Sequence, residues 1–403
     1  MVDYATLFSS NLPRAVATPP GASASVKYVF SVTNAIPEVV DSEAYLSAIR
    51  SGLDADGAGS LAGYPPPGGH VGLRELVAER LAANRGYEAS PGDVVITDGA
   101  GGAITSLLEA FIDPGDAVLV EEFTYMGSLR MMLERGAQPI HVAGDEDGML
   151  PEALEEALES LEQAGRRAKF IWTIPVFQNP LGFTVSEGRR RAILSLAQRY
   201  GVPILENESY ADFRIDGDPL PPAMAGMSDE GDVIYVSSFT KLLGCGLRVG
   251  FGVLPPGVRS ALPRANSENL PRRGVSHLAT MMVYEYMRKH EAEHIETVRQ
   301  ALLTRRDALL GALEENFPAF CEWTHPHGGM MVFVRLPEGA DTWSTLEKAT
   351  ERDVKYNPGG VFRADRGRSN YLRLTYSHNS PAEIREGVGR LAELFREEGY
   401  FEG

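Results

Sequence analysis

The stretch DVIYVSSFTKLLGCGLRVGFG brings a lysine, three hydroxyls and an arginine close together in the chain. Lys241 follows an apolar, β-branched run of the kind that forms a buried strand. Ser237, Ser238 and Thr240 sit beside it, and Arg248 lies seven residues on. Open α/β sheets bind ligands at the carboxyl ends of their strands, which is where this lysine falls. A lysine among apolar neighbours sheds its proton more readily and forms imines with carbonyl groups. An arginine with hydroxyls nearby suits a phosphate monoester. Together these residues predict a cofactor that carries both a carbonyl and a phosphate.

Another segment holds residues suited to the same task. In ITDGAGGAI a strand ends and a helix opens, so the backbone N–H groups of Gly99, Ala100 and Gly101 can face an anion. The dinucleotide fingerprint GxGxxG fails here, because Ile104 stands where the third glycine belongs.

These residues need a scaffold, and the pattern of the chain supplies one. Amphipathic helical stretches (DSEAYLSAIRSGL, GLRELVAERLAANRG, PEALEEALESLEQAG, SEGRRRAILSLAQRYG) alternate with short apolar runs (DVVITDG, AVLVEE, QPIHVA, KFIWTIP, PILENE, DVIYVSS). That alternation predicts an α/β fold with a largely parallel sheet covered on both faces. The expected division is an extended arm over 1–40, a large domain over 41–310 and a small α+β domain over 311–403. The arm shows no sustained period, and the segment from Val275 to Asn316 reads as mainly helical.

Bulk properties narrow the partners. The 403 residues carry 55 acidic against 38 basic side chains, a formal charge of -17, which disfavours a nucleic-acid partner. No apolar run approaches the roughly 20 residues of a membrane helix. The first residues, MVDYATLFSSNLPRAV, lack the pattern of a signal peptide. Two cysteines, Cys245 and Cys321, make neither a disulfide framework nor a metal-binding CxxC, so no metal site and a cytoplasmic location are expected.

The residues around Lys241 resemble the lysine signature S-x-[ST]-K-x-x-x-P-G-x-R-x-G of the fold type I, class I/II aminotransferases. Ser238, Thr240, Lys241, Gly246, Arg248 and Gly250 match it, with Cys245 in place of the proline. The chain is most similar to the subgroup holding α-aminoadipate aminotransferases and MocR-type regulators. The resemblance implies pyridoxal 5′-phosphate (PLP) held as a Schiff base on Lys241, in a seven-stranded-type large domain with a small C-terminal domain. By the same resemblance Gly99, Ala100 and Gly101 form the phosphate turn with Ser238, Thr240 and Arg248. Tyr125 stacks on the pyridine ring, and Asn179 of PVFQNPLGF with Tyr210 bonds its phenolic oxygen. Arg373 takes the substrate carboxylate, and Tyr64 of YPPPGGHVGLREL reaches the phosphate of a neighbouring subunit, which implies a homodimer with shared sites.

Three departures from the family pattern bear on the reaction. The phosphate turn lacks its usual side-chain ligands, Asn34 stands near the usual substrate-pocket glycine, and Asn207 replaces the aspartate that keeps the pyridine nitrogen protonated. A neutral amide cannot stabilise a pyridinium by charge, so the ring becomes a weaker electron sink. Glu206 and Glu208 are the alternative acids, although strand alternation turns Glu206 away. The resemblance implies an external aldimine and α-carbanion formed from an amino acid, most simply for transamination. The alternative is β- or γ-elimination, replacement or carbon–carbon bond formation, with S-adenosylmethionine among the candidate substrates. A PLP-sensing regulator fits less well, because the arm leaves no room for a winged helix.

Overall fold

Burial on both faces explains why the strand runs of this chain are almost continuously apolar. In the computed structural model, which describes residues 2, 7, 16–228, 230–261 and 275–402, seven strands form one sheet. Most of the expected arm segment 1–15 lies outside the described residues. In chain order the elements begin with β1 (Tyr28–Val29), α1 (Ser42–Asp56), α2 (Val71–Arg85), β2 (Val94–Asp98), α3 (Gly99–Phe111), β3 (Ala117–Glu121), α4 (Met126–Glu134) and β4 (Gln138–Val142). A small hairpin of β5 (Gly144–Asp145) and β6 (Gly148–Met149) precedes α5 (Pro151–Gln163), β7 (Ala168–Thr173), α6 (Glu187–Tyr200), β8 (Ile204–Asn207) and α7 (Met224–Met227). Then come β9 (Val233–Ser238), α8 (Thr240–Leu243), β10 (Val249–Val253), α9 (Pro256–Ala261) and the long α10 (His277–Asn316).

The large sheet runs β2-β10-β9-β8-β7-β3-β4. It is parallel except for β10, which is antiparallel to both β2 and β9. This strand, VGFGV, was not among the expected ones, because two glycines depress strand propensity. The fold needs them small: a Cβ on Gly250 would lie 2.4 Å from the Gly99 carbonyl carbon. The missing side chain lets the start of α3 settle on the sheet.

The C-terminal part holds a four-stranded antiparallel sheet of β11 (Glu322–Trp323), β12 (Met331–Arg335), β15 (Tyr371–Thr375) and β14 (Asn357–Pro358), in that order. Helices α11 (Thr342–Glu351) and α12 (Pro381–Glu397) cover it, and β13 (Val354–Lys355) pairs in parallel with β1. The N-terminal segment is therefore tied down: Tyr28 and Phe30 are fully buried, and Phe30 O accepts from Thr375 N at 2.9 Å. That threading carries residues 31–34 to the boundary between the two sheets. Helix α10 crosses the same boundary, packing on α1 near its start and on α12 further along. Among the described residues no helix is long and apolar enough to cross a membrane.

A buried charge network fixes the end of β8. Glu208 receives Arg85 Nε at 2.6 Å and Nη2 at 2.7 Å, Arg190 Nη1 at 3.1 Å and the Tyr235 hydroxyl at 3.1 Å. Burial opposes its ionisation, but the two guanidinium groups prevail and hold it below the usual carboxylate range. Removing one partner of such a pair costs about 3–5 kcal/mol, because the other charge stays buried. Glu206 accepts from Met224 N and Ala225 N at the start of α7. Burial and the neighbouring Glu208 push its carboxyl up to about 7.

Candidate active site

Lys241 is delivered by a turn that the hydroxyls build. Ser238 Oγ donates to Val249 O at 3.2 Å, accepts Thr240 N–H at 3.1 Å and shares a 2.8 Å bond with Thr240 Oγ1. These bonds turn the chain sharply out of β9 into the single turn of α8. Lys241 is half-buried there, and its Nζ has no hydrogen-bond or ion-pair partner among the described residues.

Behind it lies an anion cradle. Gly99 opens α3 with φ +61°, and its N–H donates to Arg248 O at 3.2 Å. A Cβ at that position would stand 3.0 Å from Arg248 Nη2, so only glycine lets the guanidinium lie across the helix start. Asp98 occupies the N-cap position but caps nothing; its carboxylate takes Arg248 Nε at 2.9 Å instead. The amides of Ala100 and Gly101 therefore keep their N–H groups for an anion, reinforced by the helix dipole. A Cβ on Gly101 would meet nothing within 4 Å, which leaves space beside the cradle.

A second cluster is a chain of buried polar groups. Arg373 Nη1 donates to Asn179 Oδ1 at 2.8 Å, and Asn179 Nδ2 donates to the Tyr210 hydroxyl at 3.1 Å. Tyr210 in turn donates to Thr33 Oγ1 at 3.4 Å, and Arg373 Nη2 reaches Ser31 O at 2.8 Å. Arg373 is 1% exposed, lies 5.1 Å from the Phe362 ring centre and faces no carboxylate among the described residues. Its Nε has no hydrogen-bond partner among the described residues. Burial lowers its pKa, with Tyr210 and Tyr125 pulling the other way. A guanidinium so placed is built to receive an anion that the protein itself does not supply.

The matching family model, aminotransferase class I and II, spans residues 30–391. The chain belongs to that family. It is 37% identical to an aromatic-amino-acid aminotransferase of Thermococcus litoralis, over 83% of this chain and 80% of that one. It is 32% identical to a 2-aminoadipate transaminase of Thermus thermophilus, over 83% and 81% of the two chains. The structure of a multiple substrate aminotransferase from Thermococcus profundus superposes with a TM-score of 0.88 at 32% identity, covering 99% of each chain. This class I/II aminotransferase is a PLP-dependent transferase that acts on amino acids.

PLP fits the residues present: Lys241 offers an amine with no partner among the described residues, α3 and Arg248 form an anion cradle, and Asn179 and Tyr210 are bonded to each other beside Arg373. Tyr125 is half-buried at the N-cap of α4, where a Cβ on Gly127 would collide with its ring at 2.6 Å. The T-Y-x-G spacing thus lets the ring lie over the helix start. Asn207 ends β8, 5% exposed, with Oδ1 accepting from Ser209 N at 3.1 Å and from Ser209 Oγ at 2.6 Å. Neither Glu206 nor Glu208 stands in for the missing aspartate, since both are spent on the far face of the sheet. Asn34 meets the lysine turn through Cys245, whose Sγ lies 3.9 Å from Asn34 Oδ1.

Tyr64 stands apart from this cluster. It is 77% exposed, with Val40, Leu46, Leu61 and Val71 also exposed along the same part of the chain. The sequence reading missed Ser31, Thr33, Asp98, Phe362 and Ser209. Asp98 carried a signal, an acid immediately before the Gly-rich turn; the others are ordinary residues in irregular segments.

Proposed function

We propose that this enzyme moves the amino group of an α-amino acid to a keto acid, with the following roles for its residues. Lys241 holds the cofactor at rest and, once released, carries the proton from the substrate's α-carbon. PLP supplies the electron withdrawal that makes this proton acidic. The Ala100 and Gly101 amides, Ser238, Thr240 and Arg248 anchor the phosphate behind Gly99. Asn179 and Tyr210 orient the phenolic oxygen, Tyr125 stacks on the ring, Asn207 meets the ring nitrogen, and Asn34 lines the substrate end. Arg373 binds the substrate carboxylate. The observation that carries this reading is the buried, carboxylate-free Arg373 joined through Asn179 to Tyr210.

A spectrophotometric half-reaction tests it. An amino acid is expected to convert the visible band of the bound cofactor to that of pyridoxamine phosphate, and a keto acid to restore it. A persistent coloured state without pyridoxamine phosphate, whether from an amino acid or from S-adenosylmethionine, would replace transamination with elimination or replacement chemistry. Asn207 is the observation that favours that second reading.

The same reading includes a cytoplasmic homodimer and the division into 1–40, 41–310 and 311–403. The exposure of Tyr64, with Val40, Leu46, Leu61 and Val71 also exposed in the same stretch of chain, supports a subunit interface, because assembly covers large apolar and aromatic side chains of this kind. Sedimentation is expected to give twice the chain mass, and mixing inactive Tyr64→Ala with inactive Lys241→Ala subunits to restore some active sites. A monomer with full activity would end the shared-site proposal.

A further inference from the structure

At the ring-nitrogen position the amide of Asn207 is fixed by donors on one side. A backbone N–H can only donate, so the atom facing Ser209 N is Oδ1, and the orientation of the amide follows. The Ser209 hydroxyl, 2.6 Å away, occupies the remaining lone-pair direction of that oxygen. Nδ2 is left with two N–H bonds and no acceptor among the described residues.

The register of the sheet says which way this amide faces. Asn207 pairs with Val236, Val236 with Gly252, and Ser238 with Gly250. Paired residues share a face, and a Cβ on Gly250 would strike Gly99 while one on Gly252 would lie 3.7 Å from Ala103 Cβ. Asn207 therefore projects on the α3 side, with the anion cradle and the lysine turn. Glu206 and Glu208 project on the other side, to α7 and to Arg85 and Arg190. No carboxylate of β8 reaches the ring.

We propose that Asn207 donates an N–H to the cofactor's pyridine nitrogen and holds it unprotonated, with Ser209 as the positioning residue that fixes the amide. This rests on the PLP reading above. A protonated ring nitrogen would set its own N–H against the amide N–H, two donors with no acceptor between them. Leaving a buried donor unmatched disfavours that state by roughly 10–100-fold. The ring nitrogen then titrates at lower pH than it would opposite a carboxylate. The neutral ring draws less electron density from the substrate, so proton removal from the α-carbon is slower than an aspartate would allow.

The test loads the full-length enzyme with PLP labelled with nitrogen-15 in the ring and reads its chemical shift, which separates pyridine from pyridinium without turnover. The wild type is expected at the pyridine position throughout the neutral range, and Asn207→Asp at the pyridinium position. Ser209→Ala, which releases one lone pair of Oδ1, is expected to move toward pyridinium, while Ser209→Thr stays with the wild type. A competition assay gives a second readout: the wild type is expected to prefer PLP over N-methyl-pyridoxal phosphate by roughly tenfold or more, and Asn207→Asp to erase that preference. A pyridinium shift in the wild type overturns the proposal, as does equal binding of the two cofactors. If no labelled cofactor is retained, the PLP reading itself falls, and this inference with it.

Discussion

Replacing Lys241 with alanine is expected to remove the visible band of the lysine-bound cofactor and to cut amino transfer by about 10⁴-fold or more. The magnitude follows from losing both a covalent anchor and a general base, the second alone contributing about 10²–10⁴. The fold is expected to survive: Lys241 is half-buried, and its Nζ has no partner among the described residues that its loss would orphan. PLP itself is expected to remain, held through the α3 amides, Arg248 and the Asn179–Tyr210 pair. Lys241→Arg keeps the charge but forms no imine, so its activity is expected to be equally low. Small primary amines are expected to restore part of the alanine variant's rate, since they can refill the proton-transfer role. Retention of the band, or turnover near the wild-type rate in either variant, would remove Lys241 from the chemistry.

How much of this was legible beforehand depends on whether a residue's role is local. The lysine turn is local: Ser238, Thr240 and Lys241 lie within a few residues, and their hydroxyl bonds follow from that spacing. Asn179 and Tyr210 were named from motifs whose residue types match the family, and the structure bonds the two to each other, which their spacing in the chain does not reveal. Strand β10 was not, because Gly250 and Gly252 are explained only by the approach of α3, more than a hundred residues earlier in the chain. Ser31 and Thr33 were hidden for the same reason: they reach the site only because Tyr28–Val29 joins Val354–Lys355. Glu206 shows a local rule succeeding, since strand alternation sent it to the far face. Asn207 was read as a substitution, yet what defines it is the donor pair of Ser209, and hydrogen-bond direction is not written in residue order.

Arg373 carries the second large prediction, in which stability and function move in opposite directions. Its guanidinium is buried beside Phe362, with Asn179 Oδ1 and Ser31 O as neutral acceptors and Nε unsatisfied. A buried cation without an anion is a cost to the free enzyme, and burial already lowers its pKa. Replacing Arg373 with methionine is therefore expected to leave thermal stability unchanged or to raise it, as exchange of buried ionic groups for apolar ones often does. The same change is expected to lower kcat/KM by about 30- to 5,000-fold, the equivalent of about 2–5 kcal/mol for truncating a buried charge-paired contact. An amino acid or keto acid is expected to raise the wild-type melting temperature by mass action and to do nothing for the methionine variant. Amines lacking a carboxylate are expected to react with both enzymes alike, because their contacts never involved the guanidinium. If instead Arg373→Met unfolds the protein while the survivors keep normal KM, the arginine is a brace between Asn179 and the N-terminal segment. The carboxylate would then have to be bound elsewhere in the cleft.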